Sequence, residues 1–202
     1  MKRKMMGLVF SFCFLILASG CAGTKVKRVE TNQKIDLSGT WNDYDATLVS
    51  QEMIKDCLQK PWLIEFTAKQ NRHPVVIVGY VSNRSYEHIN TEIFIKNLEK
   101  ELLNSGKIVF VASPDERDQI RAERHDQQQG NTLEETIKKI GRERGADFML
   151  IGSLNSVKDA VKGKSVIFYQ ANLELVNLES NEKVWIGQKE IKKYVTQGRY
   201  AL

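Results

Sequence analysis

Apolar positions along this 202-residue chain recur with two different periods, and the changes between them mark the elements. Val49, Met53 and Cys57 repeat every four residues beside Ile54 and Leu58. That single stripe predicts a helix over 45–60, stopped by Pro61. Residues 62–66 read as a short strand or an extended docking segment. From Val75 to Val81 the chain is almost continuously β-branched, which suits a strand covered on both faces. Asn83, Arg84 and Ser85 end that run. Asn90 or Thr91 then caps a second helix to about 104, with Ile93 or Phe94, Leu98 and Leu102 inward and Glu92 favourably placed in its first turn. Residues 107–112 form the next strand. Ser113-Pro114-Asp115-Glu116 opens a third helix, mostly charged, to about 127. A fourth is expected over 132–143, with Leu133, Ile137 and Ile140 inward.

Three strands follow. They cover 146–157, then 165–178 after a charged loop at 158–164, then 183–195. In the middle one Ile167, Tyr169, Ala171, Leu173 and Leu175 alternate with Phe168, Asn172 and Glu174. In the last, Val184, Ile186 and Ile191 are the main apolar positions. The polar turn at 179–182 makes these two a hairpin. The expected fold is α/β: a two-layer sandwich with a mixed sheet of about four to five strands and helices packed on one face, the other face partly open.

The first residues have a different grammar. Lys2, Arg3 and Lys4 precede a ten-residue apolar run, and Ala18-Ser19-Gly20 leads directly into Cys21. The run is shorter than the roughly 20 residues a membrane-spanning helix needs. Charge, apolar run, small residues and then cysteine is the order of a lipoprotein signal. Residues 1–20 are therefore expected to be removed, Cys21 to carry lipid, 21–38 to form a short polar tether and 39–197 to form one domain. The formal net charge of +5 shrinks to about +2 without the three leader cations, so the basic pI does not argue for nucleic acid. Cys13 leaves with the leader. Cys57, on the apolar stripe, reads as a buried structural thiol.

Catalytic and metal patterns are missing from the sequence. The three histidines, His73, His88 and His125, have no ligand-type spacing, and neither H-E-x-x-H nor G-x-S-x-G occurs. Asn42, Asp43 and Asp45 lack the glycine and closing glutamate of a calcium loop. No cofactor is expected. Lys192 and Lys193 look like a basic edge. A protein-binding surface could use charge steering from Arg84, His88, Arg117, Arg121, Lys158, Lys162 and Lys192.

Several blocks in one order resemble the penicillin-binding protein activator LpoB family. They include Trp41-Asn42-Asp43, Pro61-Trp62, Pro74-Val75-Val76-Ile77-Val78-Gly79, Glu87-His88-Ile89-Asn90, Gly145-Ala146-Asp147-Phe148 and Glu182-Lys183-Val184-Trp185. The resemblance runs from about Trp41 to Tyr194. It implies an outer-membrane lipoprotein on the periplasmic face, with a fold like the N-terminal domain of the Tol-system protein TolB. It also implies no enzymatic activity of its own, a monomeric domain, and a partner in a bifunctional class A penicillin-binding protein whose peptidoglycan synthesis it stimulates. The alternative is another envelope interaction or assembly lipoprotein with the same fold. The chain departs from enterobacterial members in its tether, which is short and has no proline.

Overall fold

A computed structural model describes residues 26–31 and 33–196. The leader and Cys21 lie outside these. The compact unit begins at Lys34. Its elements are α1 (Asp43–Cys57), α2 (Pro61–Gln70), β1 (Val75–Arg84), α3 (Thr91–Asn104), β2 (Val109–Phe110), α4 (Pro114–Asp126), β3 (Phe148–Val161), β4 (Lys164–Asn177) and β5 (Lys183–Thr196). The sheet order is β2-β1-β3-β4-β5, with β1 parallel to both neighbours and β3, β4 and β5 antiparallel. This is the expected mixed sheet.

Local chemistry sets the helix starts. Asn42 and Asp45 form a reciprocal capping box on α1, and Ser113 and Glu116 form another on α4. Asn90 caps α3 through the Glu92 N–H. Pro61 stops nothing: α1 has already ended, and the proline begins α2 at a position where its missing N–H costs no hydrogen bond. The segment read as a strand is thus a helix.

One face of the sheet and the stripes of α1 and α3 enclose the core. Val49, Met53, Phe94, Leu98, Leu102, Leu150, Leu154, Leu173 and Leu175 are buried there. Cys57 is buried too, and desolvation pushes its thiol up to about 12, as a structural cysteine requires. Val75 and Ile77 point away from Val76 and Val78 yet are equally buried, so this part of β1 is covered on both sides.

Two further expectations are corrected. Residues 132–143 form no α-helix. Beyond a single 3-10 turn at Glu134–Thr136 and a turn at Ile140–Gly141 the backbone is irregular, and Leu133 and Ile140 are exposed. Gly130, Gly141 and Gly145 bracket that stretch, and it has no stripe wide enough to compete for the core. The charged loop at 158–164 is mostly strand: β3 runs to Val161, and Lys162-Gly163 alone make the turn, with Gly163 at φ +77°. In β5 Trp185 is buried with Val184 and Ile191 packed partly against the core, Ile186 is exposed, and the Trp185 Nε1–H donates to Asp56 at 2.9 Å.

Close approach restricts Gly152. A Cβ there would lie inside van der Waals contact with the Asn172 carbonyl and the Leu173 side chain. A backbone oxygen of a central strand cannot swing aside. Gly152→Ala is expected to cost about 1–3 kcal/mol, seen as a lower urea midpoint with an unchanged slope.

Candidate functional site

A bulge in β1 shapes the sheet face turned away from α1 and α3. Val78 pairs with Leu150 but Val81 with Gly152, so one extra residue lies between them. The bulge turns Val81 inward and places Ser82 and Arg84 outward. Gly79 makes room for it, because a Cβ there would press on Met149 and Ile151. Tyr80, beside it, is left exposed.

The register then builds three rows across the outer face. Ile151, Glu174 and Ile186 form the first, beside Tyr80. Ser82, Ser153, Asn172 and Gln188 form the second. Arg84, Asn155, Gln170 and Glu190 form the third. Side-chain hydrogen bonds tie the polar rows together. Asn172 Nδ2 donates to Gln170 Oε1 at 3.1 Å, Asn155 Nδ2 to Ser153 Oγ at 3.3 Å and Gln188 Nε2 to Glu190 Oε1 at 2.7 Å. A shallow concavity of about 390 Å³ lies between Tyr80, Arg84, Ile151, Ser153, Asn172 and Glu174. Arg84 has no carboxylate partner among the described residues. The surface pairs an unengaged guanidinium and pre-ordered amides with exposed Tyr80 and Ile186, a composition suited to binding a protein.

The other sequence-predicted residues are dispersed. His88 lies beside Trp41, Asn42 and Ile93 in a concavity of about 460 Å³ near the starts of α1 and α3. On α4, Arg121 grips Glu143 through Nε at 3.1 Å and Nη2 at 2.8 Å, with Arg124 adding a contact at 2.7 Å. These guanidiniums, Arg121 foremost, draw the Glu143 carboxyl down to about 2. Arg117 turns back to the Ala112 carbonyl at 3.3 Å. Lys158, Lys162 and Lys192 stand at the far end of the β3–β4 hairpin and of β5. The seven residues therefore do not make one patch.

Lys192 and Lys193 are not a continuous basic edge. Lys192 is exposed on the outer face, whereas the Lys193 side chain is only 9% exposed and Asp45 opposite it 3%. Lys193 Nζ donates to Asp45 Oδ2 at 2.5 Å, Asp36 Oδ1 at 2.7 Å and the Thr40 carbonyl at 3.0 Å. Burial would lower its pKa, but the two carboxylates raise it above the ordinary lysine value. Tyr169 donates to Glu87, which also accepts the Trp41 N–H at 3.1 Å. Burial first, and Glu87 second, raise the tyrosine's pKa. Residues 34–41 are thus strapped onto the inner side of β4 and β5, with Gly39 against Val195 and Ile167. The sequence reading missed this cluster. Its signal was the alternation of β5, which puts Lys193 on the same side as Trp185 and Ile191.

A further concavity of about 620 Å³ lies by α2 and includes Trp62, Phe66, Arg72, Asp147, Phe148 and Val184. Two of its charges, Arg72 and Asp147, are paired with each other. Arg72 binds both oxygens of Asp147 at 2.7 and 2.6 Å, and Asp147 also accepts the Val75 N–H at 2.7 Å. Arg72, despite the burial that opposes it, and the Val75 N–H hold the Asp147 carboxyl below the usual carboxylate value. Its stabilising contribution is therefore complete above the unfolded carboxylate pKa of about 4 and is lost as pH falls through the lower folded value. Asp147→Asn is expected to lower stability at pH 7 and to flatten the acid limb of a stability–pH curve below about pH 4.

Among the described residues no group of three or more His, Cys, Asp or Glu side chains could hold a metal, and no helix is long and apolar enough to cross a membrane. The sequence matches the profile of the family described as peptidoglycan-synthase activator LpoB over residues 45–191. No curated protein matches the chain. Among solved structures it is similar to the LpoB C-terminal domain from Escherichia coli, at 18% identity and a TM-score of 0.47, covering 74% of this chain and all of that one. It is also similar to the corresponding domain from Salmonella enterica, at 18% identity and a TM-score of 0.43, with 74% of this chain and 100% of that one covered. A third similarity is to the NMR structure of E. coli LpoB, at 16% identity and a TM-score of 0.41, with 89% of this chain and 83% of that one covered. The profile match spans well over half of the sequence, and the chain belongs to the peptidoglycan-synthase activator LpoB family, non-catalytic lipoproteins on the periplasmic face of the outer membrane that stimulate class A penicillin-binding proteins.

Proposed function

We propose that the domain docks on its bifunctional class A synthase through the outer sheet face around Arg84, and that docking favours a more active conformation of the synthase. The observation carrying this reading is the surface itself: Tyr80 and Ile186 exposed beside an unpaired guanidinium and two hydrogen-bonded polar rows. Such a face offers apolar anchors, one fixed charge and directional donors, and it holds no nucleophile beside a base. A partner that binds one synthase conformation better than another shifts its population by that difference in affinity and needs no chemistry of its own. His88 belongs to a separate concavity and is assigned an accessory role. Arg117 and Arg121, bound to their own chain, are assigned none.

In this reading residues 1–20 are the removed leader, Cys21 carries the lipid, and 21–38 tether the domain at 39–197, with the end of the tether strapped onto β5. Helices on one side of a mixed sheet support the finer likeness to the TolB N-terminal domain. The test is to titrate the protein into detergent-solubilised class A synthases of the same organism while following binding and glycan polymerisation together. Saturable binding with a faster rate is expected. A folded protein that binds none of them rejects the reading.

A further inference from the structure

Beyond Asn155, β3 has left β1 behind and pairs with β4 alone, so the β3–β4 hairpin and the end of β5 project as a three-stranded tip. Six more residues carry β3 to Val161, about 20 Å at strand rise. The tip has an unusual composition. Lys158, Lys162, Lys164 and Lys192 are all exposed, and none has a carboxylate within ion-pair distance among the described residues. Asp159 is the one acid on the hairpin arms at this end, and Glu190 lies two positions back on β5. Among these cations Val157, Val161 and Tyr194 are 66%, 70% and 63% exposed, with Phe168 and Val166 half-buried beside them.

The tether enters the domain at this same end. The strap seats Gly39 against Val195 and Ile167 and fixes Asp36 on Lys193, next to Lys192. From Cys21 to Asp36 is fifteen residues, so a lipid on Cys21 lies within about 50 Å of that point at full extension and closer in any relaxed state. A bilayer surface is thus presented to the tip at high effective concentration.

We propose that the β3–β4 tip is a membrane-docking surface that rests on anionic phospholipid headgroups. Lysines gather at the headgroup charge, tyrosine suits the interface, and the exposed valines enter the acyl boundary. Docking at this end holds the tip of the domain against the bilayer carrying the lipid, one row beyond Arg84 on the outer face. The proposal rests on the reading of Cys21 as the lipidated residue.

The experiment uses Thr196→Cys labelled with an environment-sensitive dye. Thr196 is exposed and opposite Lys164, and Cys57 is buried and unreactive, so the label is specific once Cys21 is lipidated. In phosphatidylethanolamine–phosphatidylglycerol vesicles the lipoprotein's dye is expected to shift to the blue and to be quenched by spin-labelled lipid. In phosphatidylcholine, or at about 0.5 M salt, the signal should be lost. Reversing Lys158, Lys162, Lys164 and Lys192 to Glu should cut it at least tenfold, since each lysine is worth about fivefold in partitioning. The same variant should stimulate the synthase normally in detergent. An unshifted dye in anionic vesicles overturns the proposal, as does loss of synthase stimulation in the quadruple variant without any loss of the dye signal, which would make the tip a protein-binding surface. The chain lacking residues 1–21, which keeps the compact unit from Lys34 and carries its label at residue 196 alone, is added in excess to the same vesicles. A blue shift there upholds the surface whatever becomes of the lipidation site, and no shift at any concentration, with the lipidated form also silent, rejects it.

Discussion

Lys193→Met is expected to destabilise the domain by about 3–5 kcal/mol, the scale for removing one partner from a buried ion pair. The loss falls on Asp45. Its side chain is 3% exposed, and without the ammonium it would hold a charge away from water with the Asn42 cap as its remaining support. Asp36 and the Thr40 carbonyl lose the same donor, so residues 34–41 should come free of β5. Urea unfolding measures the change. The double variant Lys193→Met, Asp45→Asn should recover part of it, because the orphaned charge is then gone. The pH dependence has a definite sign. Lysine's folded pKa is raised, so its contribution is complete below the unfolded value of about 10.4 and is lost as pH rises through the higher folded one. A Lys193→Met midpoint within error of the parent would show that the strap does not depend on this pair.

Arg84→Glu combined with Ile186→Asp is expected to weaken synthase binding about thirtyfold or more, the equivalent of one interface hot spot of about 2 kcal/mol. Both side chains are exposed and neither belongs to the core, so the unfolding midpoint should stay within about 0.5 kcal/mol of the parent. The two changes act differently. Arg84→Glu reverses the one unpaired charge on the rows and should slow association most at low salt. Ile186→Asp puts a carboxylate where an apolar anchor would be desolvated, and should speed dissociation. Unchanged affinity in a folded double variant would move the synthase site off this face.

Particular elements show how far local pattern carries. A cap at Asn90 or Thr91 and a stripe through Leu98 and Leu102 bounded α3 to within about a residue, because capping and burial there act within one helix. The alternation from Ile167 to Leu175 gave the inward face of β4 for the same reason. Residues 62–66 failed because five residues carry too little period to separate a strand from a helix, and the proline that starts α2 looks the same as one that stops α1. Residues 132–143 failed because isolated apolar residues do not make a helix unless a neighbour covers them.

The candidate sites were less legible than the fold. Each basic residue could be named, but a charge has no fixed partner in sequence. Glu143 reaches Arg121 from twenty-two residues away, and Asp45 reaches Lys193 from one hundred and forty-eight. By itself the sequence determined the mixed α/β class, three of the four helices' caps and stripes or starts, a structural Cys57 and the leader's order of charge, apolar run and cysteine, because these depend on near neighbours. Tertiary structure alone decided that a one-residue bulge turns Arg84 outward, that adjacent lysines at 192 and 193 have opposite fates, and that the strap meets the sheet beside the basic tip. Those outcomes depend on strand register and on long-range charge pairing, and neither exists until the strands have met.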